Sequence, residues 1–357
     1  MRYPTLLALA VLLVGIDSSV VVAGQAASTT AKGKPKATWV GEAPPADQAH
    51  KPPAVKRPAR TPDGQPNIQG IWSQSGTYTP LQRPARFANK PFFTEKEAEE
   101  FYNNATKEIY EQDPGLHYKF TQYGTDRWQT GLLKNLRTSI VIDPPDGRLP
   151  PLTPEAQKRN NRGNMKGFPE LALHTRCVTG YWQGGGPMIR PASEGDVDSN
   201  RDNGAQGETE ILQTPGYVVI FTDSNNDTRI IPLDNRPRLA PTTTKWFGDS
   251  RGRWEGETLV VETTNFNDQV RVTGQMARNM KLTERFSKRD DNTLVYQFTV
   301  DDPTTWMKPW TGEVPWPRVE GPMYEAACTE ENISLVTMLK SVVFTREAEE
   351  RKKAGSK

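Results

Sequence analysis

Glu284 is the residue whose setting asks for chemistry. In Lys281-Leu282-Thr283-Glu284-Arg285-Phe286 a period of two puts Leu282 and Phe286 on one face, and Glu284 falls on that same apolar face. A carboxylate there is costly unless it is paired or protonated. It needs an inward arginine or a tyrosine hydroxyl, or it serves as an acid–base group. Arg229 and Arg285 are the candidate charge partners, with Tyr296, Glu262, Asp301 and Glu325 as further acid–base candidates in the same third of the chain. Two carboxylates brought together could act as general acid and general base. Around them crowd Trp246, Trp254, Trp306, Trp310 and Trp316, with Tyr296 and Phe298 nearby. Such rings suit sugar or aromatic ligands, and they suit plain core packing equally well.

Other chemistries match in letters and fail in context. Gly248-Asp249-Ser250-Arg251-Gly252 has the form of a hydrolase nucleophile elbow. An elbow needs a strand before and a helix after it, with a histidine downstream. Here a strand follows and no histidine comes after His174, so the segment reads as a turn. The three histidines, His50, His117 and His174, are too scattered for a zinc or iron site. Asp196, Asp198, Asn200 and Asp202 alternate as calcium ligands do, and so do Asp223, Asn225 and Asp227. The first set has Arg201 where a calcium loop needs glycine and Gly207 where it needs glutamate, and polar loops and a hairpin turn explain both segments, so no cofactor is expected, with calcium as the alternative. Gly184-Gly185-Gly186-Pro187 lacks the strand–loop–helix frame of a phosphate cradle.

The elements that must position these residues are mostly strands. Expected strands run from Ile68 to Trp72 and from Ser139 to Ile142, then over 209–214, 217–223, 228–233, 257–265, 280–288, 293–301 and 304–313. They are short and divided by Asn, Asp, Gly and Pro clusters, the pattern of an antiparallel barrel or curved sheet. In the hairpin of 281–298, facing the apolar sets places Phe286 opposite Leu294, Glu284 opposite Tyr296 and Leu282 opposite Phe298. One helix is expected over 94–112, opened by a Thr94/Glu97 capping box. A short helix starts at Thr153-Pro154-Glu155, and another follows Ser341. Residues 179–207 read as a long surface loop.

Composition sets the frame. The 30 prolines and 28 glycines among 357 residues argue against long helical bundles. Arg2, an apolar run from Leu6 to Val14 and small residues at Ala23 and Ala26 have the order of a secretory signal peptide, 1–26. No second apolar stretch is long enough for a membrane span. Residues 27–66, rich in proline and lysine, read as a disordered linker, and 67–341 as one β-rich domain followed by a helical tail over 342–357. Of the formal charge of +2, residues 27–66 carry +4 and residues 67–357 carry −2, so the folded part is slightly acidic and gives no reason to expect nucleic acid. Cys177 and Cys328, in a chain bound for an oxidising compartment, are expected to pair.

The strings Arg229-Ile230-Ile231-Pro232-Leu233-Asp234, Gly248 to Phe266, and Val300-Asp301-Asp302-Pro303-Thr304-Thr305 with Pro309-Trp310-Thr311 resemble a large group of secreted bacterial proteins of unassigned function. The resemblance spans most of 61–335 and implies a compartment and a fold extent, not an activity. It implies histidines near Asn226 and Arg238; neither is present, which argues against histidine chemistry. At fold level alone the glycine–tryptophan turns are similar to those of lipocalin-like barrels. Three readings follow. One is an extracytoplasmic barrel handling a small organic or carbohydrate ligand in a cavity lined by Glu284, Tyr296, Phe298 and Trp310, with Arg229, Arg285 and Asp301 as polar contacts. The second is an enzyme using Glu284 with Tyr296 or Glu262. The third is an envelope interaction protein; no oligomeric state is assigned.

Overall fold

The computed structural model describes residues 58–74, 79–98, 100, 135–159, 173, 176–179, 186–189, 208–223, 227–319, 323, 327–330 and 333–355. All of them fall within the compact unit Gly41–Lys357. The expected signal peptide, most of the linker, the helix beyond residue 100 and the first calcium-like segment lie outside the described residues.

The chain is mainly β. Its strands are β1 (Gly70–Ser73), β2 (Val141–Asp143), β3 (Glu208–Thr214), β4 (Tyr217–Thr222), β5 (Asp227–Pro232), β6 (Asp249–Glu255), β7 (Thr258–Thr264), β8 (Arg271–Val272), β9 (Gln275–Met276), β10 (Lys281–Asp290), β11 (Thr293–Asp301) and β12 (Trp310–Val319). One antiparallel sheet runs in the order β5-β4-β3-β1-β12-β11-β10-β7-β6, with β2 on β12 and a separate β8–β9 hairpin. The two ends of this order meet. β5 lies against β6, where Gly252 leaves room for Ile231 and Leu233. The sheet therefore curls into a barrel whose last seam is side-chain packing and not a hydrogen-bonded ladder.

Tight turns make the meander. Pro215-Gly216 joins β3 to β4 and Gly256-Glu257 joins β6 to β7, with Gly216 at φ +80° and Gly256 at φ +60°. Both glycines adopt a backbone that a Cβ would disfavour. Alternation then sorts the long strands, so that Leu259, Val261, Leu282, Phe286, Leu294, Tyr296, Phe298 and Val300 are buried, with Val260 and the end of β12 buried as well. The helices among the described residues include α1 (Pro154–Lys158) and α2 (Ile333–Gly355). Thr153 caps α1 by accepting from Ala156 N. The Thr94/Glu97 capping box forms as the sequence predicts, with Thr94 N donating to Glu97 Oε2 (2.8 Å) and Glu97 N donating to Thr94 Oγ1 (3.3 Å). Cys177 and Cys328 form a disulfide.

Several boundaries differ from expectation, each for a physical reason. The β10–β11 pairing places Leu282 opposite Val300, Glu284 opposite Phe298 and Phe286 opposite Tyr296, two residues away from the expected register. A two-residue turn, Asp291-Asn292, closes the hairpin past a bulge at Lys288–Asp290, and a shift of two keeps every side chain on its face. The last strand starts at Trp310 instead of 304 because the Asp302 carboxylate ties 302–305 into a turn, accepting from Thr304 N (3.0 Å) and Thr305 Oγ1 (2.7 Å). That strand runs on through Pro315 and Pro317. Arg318 N points to the β11 side and Glu313 N to the β2 side, so the two prolines face the gap between β2 and β1, where no ladder bond is lost. The segment read as a turn is strand β6 from Asp249 onward; only Gly248, at φ +65°, turns. The C-terminal helix begins at Ile333, before Ser341, with the Thr337 hydroxyl bonded one turn back to Ile333 O. Residues 58–66, assigned to the linker, carry an ordered turn bridged at Arg60–Pro66. Within the expected surface loop, Gly186, Pro187 and Met188 are buried.

Candidate functional site

The strongest concentration of polar groups inside the barrel is built around Glu284, which is 0% exposed. Arg229 reaches it from β5 across the unladdered seam, an approach that only the curl of the sheet allows. Its Nη1 donates to Glu284 Oε1 (3.0 Å) and its Nη2 to Glu284 Oε2 (2.5 Å), a two-pronged ion pair. Nη2 also lies 3.4 Å from Ser250 Oγ on β6 and 3.3 Å from Thr263 Oγ1 on β7. These two hydroxyls share a bond of 2.9 Å. From β11 the Tyr296 hydroxyl donates to Glu284 Oε1 (2.9 Å) and accepts from Met188 N (3.0 Å). The buried Gly186–Met188 segment thus lies over the cluster, with Met188 Sδ 3.8 Å from Arg229 Nη1.

Electrostatics follow from this geometry. Burial works against the Arg229 charge, but the Glu284 carboxylate outweighs it and holds the guanidinium protonated, its pKa raised. Burial, and then the charge of Glu284, push the Tyr296 hydroxyl well above its ordinary value. Tyr296 is therefore a neutral donor to a fully engaged carboxylate.

Aromatic side chains form the neighbouring wall. Tyr296 stacks between Phe298 (5.5 Å) and Trp316 (4.6 Å), and Trp310 meets Phe298 and Trp306 edge-on. The Phe298 ring fills the space left by Gly312, where a Cβ would meet its Cζ at 2.3 Å. These residues, expected to line a cavity, sit in the interior and pack on one another.

The inner wall leaves hydrogen-bonding capacity unused. Arg229 Nε, Trp310 Nε1 and Trp316 Nε1 are buried with no partner, and Gln74 Oε1 is an unused acceptor. Elsewhere the same groups are satisfied: Trp72 Nε1 donates to Ile68 O and Trp254 Nε1 to Gln65 Oε1.

Among the residues singled out from sequence, the structure brings Glu284, Arg229 and Tyr296 together, with Phe298 beside Tyr296. Trp310 packs edge-on against Phe298, Glu262, Arg285 and Asp301 are held apart from the cluster, and Glu325 lies outside the described residues. Glu262 is paired with Thr283 and so faces outward, away from Glu284. There it meets Arg253 (2.9 Å), Lys281 (3.3 Å) and Arg238 (3.7 Å). Partial burial opposes its charge, yet Arg253 and Lys281 hold its carboxyl below the usual carboxylate range. Arg285 also faces outward and pairs with Glu255 (2.9 Å). Asp301 ends β11 opposite Lys281, on that same outward side. Ser250, Thr263 and Met188 were missed. Thr263 follows Leu259 and Val261 at period two, so its inward face was readable; Ser250, opposite Thr263, needed β6 to be recognised as a strand. Nothing local in the sequence announces Met188.

Among the described residues no group of acidic, histidine or cysteine side chains is arranged to hold a metal ion. No helix there is long and apolar enough to cross a membrane. No family model matches the chain and no curated protein matches it. Among solved structures, a protein titled a REP1-NXSQ fatty acid transporter is similar at 14% identity and a TM-score of 0.22, over 36% of this chain and 81% of its own. A mutant of the fluorescent protein UnaG is similar at 14% identity and a TM-score of 0.22, over 42% of this chain and 88% of its own.

Proposed function

We propose that this chain is an extracytoplasmic β-barrel protein of the secreted group it resembles, and that it holds a small organic or carbohydrate molecule against its aromatic inner wall. The observation that carries the reading is the set of buried, unpartnered N–H groups on that wall: Arg229 Nε, Trp310 Nε1 and Trp316 Nε1. A buried donor left without an acceptor costs about 1–3 kcal/mol. These three donors among aromatic rings fit a flat or apolar molecule that offers hydrogen-bond acceptors. The disulfide and the signal-like first residues support an oxidising compartment.

The test is a thermal-shift and tryptophan-fluorescence titration of the chain from residue 27 onward with neutral sugars, phenolics and aromatic ketones. Each stabilising compound is then recovered and weighed by mass spectrometry. A saturable shift with the compound returned unchanged, weakened in Trp310→Phe and Trp316→Phe, is the expected result. Absence of any saturable response across all three classes overturns the reading.

A further inference from the structure

Resting on this ligand-binding reading, we infer that the barrel interior selects uncharged acceptor molecules such as ketones, esters and lactones over carboxylates, and that Glu284 sets this selectivity through Arg229. A buried arginine with a free N–H would by itself be a carboxylate site. Here that capacity is already taken. Both Glu284 oxygens engage the two terminal nitrogens of Arg229, at 3.0 and 2.5 Å, and only Nε remains. Among the described residues every other group bonded to or touching the pair is neutral: Tyr296 from β11, whose hydroxyl stays protonated, Ser250 from β6, Thr263 from β7 and the Met188 thioether.

The pair and its surroundings therefore carry no net charge. An anion arriving at Nε would shed its water without a cation of its own to meet it, and burying an unmatched charge is heavily penalised. A carbonyl oxygen loses far less hydration and accepts the same N–H bond. Another positive charge on the inner face, Arg318, lies over Trp72 and is committed to the carbonyls of Asp291 (2.7 Å) and Gln69 (3.1 Å). Glu284 is thus a positioning residue. It orients the guanidinium so that Nε is the free donor, and it cancels the charge that would otherwise recruit acids.

The experiment titrates the full chain with three matched pairs, following tryptophan fluorescence and calorimetry: benzoate with acetophenone, 2-naphthoate with 2-acetylnaphthalene, and dodecanoate with its methyl ester. In the wild type the uncharged member binds tighter by about tenfold or more, the affinity ratio that a difference of about 1.4 kcal/mol produces. In Glu284→Gln the order inverts, because Arg229 is left as an unmatched cation. The double substitution of Arg229→Gln with Glu284→Gln removes both charges and restores the preference for the uncharged member. A purely structural role for Glu284 would weaken both members of a pair alike and leave the ratio unmoved. Acids binding as well as their partners in the wild type overturn the inference while the ligand-binding reading stands. Failure of every compound to bind removes that reading and this inference with it. If Glu284→Gln does not fold, the wild-type ratio and the double variant decide.

Discussion

Among the described residues Arg229 and Glu284 are each other's only full-charge partner, in an environment that would tolerate neither alone. Breaking a buried pair by removing one partner costs about 3–5 kcal/mol, far more than the pair contributes in net terms. Glu284→Gln should therefore lower stability by about 3 kcal/mol, read as a shift in the urea midpoint at unchanged slope. A wild-type midpoint would mean that the carboxylate is not anchoring Arg229. Tyr296 makes a second prediction. Its hydroxyl is held well above the ordinary value by burial and by Glu284, so the folded state keeps a proton that the unfolded chain gives up near pH 10. Stability from this group is complete below that pH and falls as the pH rises toward the folded value, by about 1.4 kcal/mol per pH unit. Alkaline melts should show this slope in the wild type and lack it in Tyr296→Phe. Identical slopes would place the alkaline loss elsewhere.

At the scale of strands, the site depends on glycines where neighbouring walls come close. Gly312 sits opposite Phe298, and an added Cβ there would press into its ring at 2.3 Å and against Ile140 at 3.0 Å. Gly312→Ala should cost about 1–3 kcal/mol by overpacking, with the ring displaced toward Tyr296. A thermal melt and the tryptophan emission of the variant measure both effects, and an unchanged melt would show the wall to be loosely filled. This spacing is not legible in the sequence, because the Gly312–Phe298 pairing is set by the β11–β12 register and not by any local pattern. Alternation identifies the inward residues of β10 and β11, whereas on β7 the expected site residue Glu262 faces outward and Thr263 faces inward. It could not identify β6, whose Asp249-Ser250-Arg251-Gly252 looks like a turn by composition and becomes a strand by pairing with β7.

For the molecule as a whole, two long-range links hold what the ladders do not. The β5–β6 seam has no backbone ladder and is bridged by Ile231 and Leu233 packing at Gly252 and by Arg229 reaching β7 and β10. The disulfide joins residues 151 apart in sequence. Closing so long a loop restricts the unfolded chain, so Cys177→Ser with Cys328→Ser should cost about 2–5 kcal/mol. Denaturant unfolding of the double variant against the oxidised wild type measures it, and a difference near zero would mean that the unfolded chain is already compact.

The amino-acid order alone determined what depends on neighbours two to four residues apart. It placed Glu284 on the inner face, paired Thr94 with Glu97 at a helix start, and put a carboxylate where only an arginine or a tyrosine hydroxyl could satisfy it. Those are properties of strand alternation and helix pitch, which any local segment carries by itself. Tertiary structure decided which arginine answered. Arg229 lies 55 residues from Glu284, and the two meet only because the sheet curls until its ends touch. It also decided the β10–β11 register, through the size of one turn, and it put Met188 over the site and Glu262 outside it. Contacts of that kind arise from closing long loops against packed side chains, and no local pattern encodes them.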